Sequence, residues 1–170
     1  MDTSKLRRFS QYVRRTLVAQ TALKVAQVLS ADSAARRESP QAVAALIKQI
    51  ELTDIAQVID KVAYTWFNRF CALRFMDVNG YSRSRVVSPA DESQFQPEIL
   101  ADAKMGHIDA ERVPEKTRLQ VAALLSGSAT SRDPQQEAYR LLVVAECNSF
   151  HKAMPYLFER IADYTELLSC

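Results

Sequence analysis

The chain has 170 residues, 48% of them apolar and 25% charged, with a net formal charge of +2 and only three glycines. That is the length of one domain, able to bury roughly two-thirds of the surface it exposes when unfolded, and an average usage of about 7% would give about twelve glycines. The shortage excludes turn-rich all-β folds and a self-contained nucleotide-binding domain, since both need glycine where backbone turns tightly or approaches phosphate.

The predicted elements are helices. Leu6, Phe9, Val13, Leu17, Val25, Val28 and Leu29 recur at three- and four-residue steps, so a first helix runs from about Ser4 to Leu29. Thr3 or Ser4 can cap it, and Ser30 to Ser39 reads as a small polar loop. Ser39-Pro40 starts a second helix, to about Ile50, with the proline at its first position. Thr53 or Asp54 caps a third, which reaches Asn79 and is closed by Gly80. Tyr81 to Gln96 has no clear period and reads as a surface loop, with an extended piece at Val86 and Val87. A short helix follows Pro97 and ends at Gly106. Pro114 opens another, to Leu125, and Gly127 closes it. Asp133-Pro134 begins a long helix to about Lys152, Pro155 interrupts the pattern, and a last segment reaches Leu168. The expected fold is all-α, a single domain over residues 1–170 with seven or eight helices around a buried central helix, about 54–79. Within it, residues 1–37 form a basic helix and loop, and 39–168 the helical core.

No apolar run approaches the 20 residues of a membrane span. None of 7–15 residues follows the early charges Lys5, Arg7 and Arg8, so no signal peptide is expected. Cys71, Cys147 and Cys170 are odd in number and widely spaced, which fits a reducing cytoplasm and no disulfide framework.

The charge is unevenly placed. Residues 1–37 carry a net +6 and the remainder −4. Lys5, Arg7, Arg8, Arg14 and Arg15 are therefore candidate DNA-binding residues, able to track phosphates through a salt-dependent, sequence-independent attraction. The same helix could instead be a solvated face, or dock on the acidic remainder of its own chain.

Residues Val62 to Met76 are apolar around most of the circumference, as in a helix buried on several sides. Lys61, Thr65, Asn68 and Arg69 form its polar stripe, and Arg74 falls opposite, beside Ala63, Phe67 and Phe70. An unpaired charge on a packing face is costly. Glu146 lies in the middle of a face shared by Tyr139, Leu142, Val143 and Phe150, so a buried Arg74–Glu146 pair is expected to hold the two helices in register. The other reading has both side chains snorkelling to solvent.

Other chemistry has bland readings. Cys147 and His151 share a helix side and could supply half a zinc site or a thiol–imidazole pair, with Cys71, Cys170 and His107 as remote partners. A packed cysteine beside a surface histidine accounts for them as well. Asp91, Glu92 and Glu98 read as solvated loop charges. Trp66, Phe67, Phe70 and Phe75 read as core aromatics rather than a base-stacking platform.

The central string Ala63-Tyr64-Thr65-Trp66-Phe67-Asn68-Arg69-Phe70-Cys71-Ala72-Leu73-Arg74-Phe75-Met76, running on to Asn79-Gly80-Tyr81, resembles the N-terminal region of a family of large adenine-specific DNA methyltransferases, the PglX/BrxX-like proteins of BREX phage defence. Cys147, then His151-Lys152-Ala153-Met154-Pro155-Tyr156-Leu157-Phe158-Glu159, is a second block of likeness. The resemblance spans roughly residues 55–168. It implies a parent several times longer that binds S-adenosylmethionine, methylates adenine N6 and restricts phage DNA with other BREX components. Such enzymes carry a glycine-containing cofactor loop and an Asn-Pro-Pro-Tyr motif for the flipped adenine. Neither is present here: Gly80, Gly106 and Gly127 are isolated, and the Pro155-Tyr156 pair follows Met154. No catalytic, cofactor or metal residue is carried over. The expectation is a non-catalytic helical accessory domain, ending before the methyltransferase domain and binding that domain, DNA or other BREX components. The alternative is a freestanding interaction module or remnant.

Overall fold

The structure, a computed structural model, describes residues 3–91, 93–158 and 164–168. It is all-α, with no strand among the described residues. The order is α1 (Thr3–Leu29), α2 (Ala34–Glu38), α3 (Pro40–Leu52), α4 (Ile55–Val78), α5 (Glu98–Lys104), α6 (Glu115–Leu125), α7 (Pro134–His151) and α8 (Tyr164–Leu167). The chain forms two compact units, one of Met1–Asn68 with Ala162–Cys170 and one of Arg69–Ile161.

In the first unit, α2 packs on α1 and α3, and α8 packs on α3. The buried side chains of α1 are Leu17, Thr21, Val25 and Val28, one stripe at helical spacing. Val43 and Leu46 of α3 and Val58, Val62 and Trp66 of α4 are also buried. Asp54 is the cap of α4: its Oδ1 accepts from the Gln57 amide at 2.8 Å. That hydrogen bond holds the Asp54 carboxyl below its ordinary pKa. The region expected to be a loop contains α2. Arg36 reaches back from it, and its Nε and Nη2 donate to the Ser30 and Leu29 carbonyls at 3.0 and 2.8 Å. A short helix thereby closes the open C-terminal end of α1.

In the second unit, α7 packs on α5 and α6. Its start is as the Asp133-Pro134 pair dictates, with the Asp133 side chain accepting from the Gln136 amide at 3.1 Å. Leu142, Val143, Cys147 and Phe150 of α7 are buried with Val121 and Leu124 of α6 and Ile99, Leu100 and Ala103 of α5. Gly80 has φ of 68° after α4. The Gly80 and Tyr81 amides donate to the Asp77 and Met76 carbonyls at 3.3 and 3.0 Å, a Schellman closure.

The loop after Tyr81 is held at its middle. Asp77, 4% exposed, accepts from the Val86 amide at 2.8 Å, the Val87 amide at 2.9 Å and the Ser88 hydroxyl at 2.8 Å. Tyr139 Oη donates to the Val86 carbonyl at 3.0 Å. Burial, with the Asp77 charge nearby, pushes its phenol up to about 12.

Candidate nucleic-acid interface

The helix α1 has two halves with different surroundings. It contains no glycine, proline or acidic residue over its 27 positions, so nothing interrupts it from Thr3 to Leu29. Burial begins only at Leu17. Before that point Leu6, Phe9 and Tyr12 are 52%, 60% and 70% exposed. The expected apolar stripe therefore packs over its second half alone. In the first half, Leu6 and Phe9 face water, because no other element covers them among the described residues.

The five cations expected to meet phosphate, Lys5, Arg7, Arg8, Arg14 and Arg15, lie on this uncovered half, all exposed. Arg7, Arg8, Arg14 and Arg15 make no side-chain ion pair or hydrogen bond among the described residues. Four uncompensated guanidinium groups on one stretch of helix form a strongly positive face. Gln11, Arg14, Arg15, Val18, Ala19 and Ala22 border one shallow depression along it.

The expected Arg74–Glu146 pair is not formed. Glu146 takes Arg112, whose Nη1 lies 3.0 Å from Oε2, and Arg74 is exposed and donates to the Ser88 hydroxyl. The arginine on the packing side of α4 is Arg69, 2% exposed. The two arginines thus trade environments, while Lys61 is exposed and Ala63 buried as expected. Periodicity in a run apolar on most sides does not say which side is inward. Arg112 also lies 4.8 Å from the centre of the Phe150 ring. Burial raises the Glu146 pKa against the opposing effect of Arg112. Arg112 lies outside any helix, where periodicity carries no signal.

Trp66 is core, Phe67 and Phe70 are half-buried, and Phe75 is exposed beside Tyr81, with ring centroids 6.1 Å apart. Burial pushes the Cys147 thiol up to about 12. His151 directs Nδ1 at the Phe158 carbonyl, 2.7 Å away. The Cys147 thiol is thus packed in the core and the His151 imidazole is engaged by backbone. No group of three metal-ligating side chains occurs among the described residues, and Cys170 and Glu92 lie outside them. Asp91 and Glu98 organise the loop, accepting from the Ser93 and Arg85 amides at 2.8 and 3.0 Å. A cavity of about 20 Å³ beside Glu146, lined also by Ser84, His107 and Asp109, has room for one water molecule.

The cofactor that the resemblance implies would need glycine where backbone approaches it, and the glycines here are Gly80, Gly106 and Gly127. Each follows a helix with positive φ, and open space stands where a Cβ would be. None of the three forms a backbone cradle of the kind a glycine loop for that cofactor provides.

No family model matches the chain. It is 36% identical over 132 residues to the adenine-specific methyltransferase BrxX of Escherichia coli O9:H4 (strain HS), covering 72% of this chain and 10% of that protein. It is 32% identical over 137 residues to the adenine-specific methyltransferase PglX of Lacticaseibacillus casei (strain Zhang), covering 78% of this chain and 11% of that protein. The chain spans about a tenth of the length of the curated relatives it matches. No helix among the described residues is long and apolar enough to cross a membrane.

Proposed function

Because this chain is PglX/BrxX-like over 72% to 78% of its length, we propose that it is a helical accessory segment of adenine-specific DNA methylation in BREX defence. In this reading it contacts duplex DNA through the first half of α1 and takes no part in methyl transfer. The observation that carries the reading is the set of four exposed arginines, Arg7, Arg8, Arg14 and Arg15, on a helix with no acid to neutralise them. Cytoplasmic residence follows from a DNA substrate. Cofactor binding and base flipping belong to polypeptide carrying the glycine loop and the Asn-Pro-Pro-Tyr motif, both absent from this sequence. Other BREX components are its further partners.

The test is duplex binding by the full 170-residue chain at two salt concentrations. Reversing the four arginines to glutamate should weaken binding and flatten its salt dependence. No affinity even at low salt overturns the reading, and methyl transfer by the chain alone overturns its non-catalytic part. The exposed Phe75, Val78 and Tyr81 favour a second reading, a protein-interaction module. A reading frame lacking both methyltransferase motifs downstream would decide for it.

A further inference from the structure

The arrangement of the α1 arginines goes further than a basic patch. At 100° per residue, Arg7 and Arg14 fall within about 20° of one another, and so do Arg8 and Arg15. They form two rows roughly 100° apart around the axis. Within each row the steps are about 10.5 Å, close to three base-pair rises of about 3.4 Å. Gln11 projects between the rows, and Val18, Ala19 and Ala22 continue that side as small or short side chains. Nothing from Thr3 to Thr16 is buried. Over about 20 Å of helix the arginine side is exposed, and only Ser10, Val13 and Thr16, away from it, are part-buried.

Resting on the reading of α1 as the DNA-contacting face, we propose that this half-helix lies in the major groove of duplex DNA, with Gln11 reading a base edge. The groove is about 12 Å wide and admits one helix of about 10–12 Å diameter. Two arginine rows then reach the phosphates of the two groove walls, which fixes depth and register. Gln11 then faces the base edges, with Ser4 on the same side seven residues before it. A glutamine amide there donates to adenine N7 while accepting from its N6 amino group. The small side chains after it let the backbone approach closely. The occupant is a nucleic acid duplex rather than an acidic protein groove, because the cations form two parallel rows at a phosphate-compatible spacing with a hydrogen-bonding side chain between them.

The experiment uses the full chain and a duplex pool selected by it, followed by fluorescence anisotropy. Replacing adenine by 7-deazaadenine in the selected duplex removes the N7 acceptor and should weaken wild-type binding. Gln11→Ala should reduce the preference for the selected sequence roughly five- to hundredfold, with the salt slope unchanged. Arg7, Arg8, Arg14 and Arg15 changed together to alanine should reduce the salt slope by roughly three to four. If the deaza duplex binds as tightly as its parent, or Gln11→Ala selects the same sequences, groove insertion is wrong while DNA contact by α1 stands. Equal affinity for heparin and for the selected duplex also overturns insertion. If the four-arginine variant binds DNA as wild type does, or the wild type does not bind at all, both readings fall.

Discussion

Removing Arg112 isolates a buried carboxylate, and this gives the sharpest stability prediction. The Glu146 side chain is 5% exposed and its cation is Arg112, 3.0 Å away and 26% exposed. Breaking a buried pair by deleting one partner costs about 3–5 kcal/mol. Arg112 retains some contact with water, which places Arg112→Ala at the lower end, about 3 kcal/mol. That figure includes roughly 0.5–1 kcal/mol for the lost contact of the guanidinium with the Phe150 ring. For a chain of this size it corresponds to a Tm loss of roughly 6–12 °C. The pH dependence has a defined sign. Burial already raises the folded-state pKa of Glu146 above its ordinary value, and loss of the arginine raises it further. A carboxyl with a raised folded pKa is favoured when protonated, so its stabilising share is present below the unfolded pKa and is lost as pH rises through the folded pKa. The defect of Arg112→Ala should therefore be largest near neutral pH and shrink on acidification. Urea unfolding followed by circular dichroism at neutral and mildly acidic pH reads both quantities. Adding Glu146→Gln should recover part of the loss at neutral pH. A variant as stable as wild type, or a defect independent of pH, refutes the assignment of Arg112 as the partner.

Asp77→Ala leaves the buried Val86 amide and the part-buried Val87 amide without their acceptor. At about 1–3 kcal/mol for the buried amide and less for the part-buried one, the chain should lose roughly 1–4 kcal/mol in chemical unfolding, and limited proteolysis should cut first between residues 81 and 97. The two described thiols should separate in alkylation at mildly alkaline pH: exposed Cys71 reacts in the folded chain, and buried Cys147 only after unfolding.

Local chemistry was legible in the sequence where a residue acts on its own neighbours. Asp54 and Asp133 cap helices because a carboxylate two or three residues before free amides has little else to do. Gly80 closes α4 because only the left-handed region completes the turn. Helix α2 was missed because its cause is Arg36 returning to the end of α1, an interaction with no periodic signature. The charged residues of the second unit were harder. The run from Val62 to Met76 offers too many apolar positions to fix its phase, so Arg69 and Arg74 exchanged places between expectation and structure. Asp77 left one trace, a carboxylate four residues after the buried Leu73 and eight after the buried Arg69, on the inward side of the helix. Arg112 left none. On the candidate interface, the sequence located the cations and their excess. It did not locate the boundary at Leu17, because Leu6 and Phe9 look like core residues until the structure leaves them uncovered.

That boundary has an energetic consequence. An isolated helix shorter than about 12–15 residues is marginal in water, because nucleation is costly and most helical stability in proteins comes from packing. The first half of α1 is about that long, buries no side chain fully, and concentrates like charges that repel one another. It is held as helix mainly by continuation from the half anchored at Leu17, Thr21, Val25 and Val28. Its opening free energy should be far below that of the anchored half. Amide hydrogen exchange should accordingly be fast from Ser10 to Arg14 and slow from Val25 to Leu29. Duplex DNA should slow the first group without changing the second, since phosphate contacts neutralise the repulsion and fix the helix. Equal protection along α1 in the free chain would mean that the first half is covered after all, and would remove the physical basis for placing a ligand there.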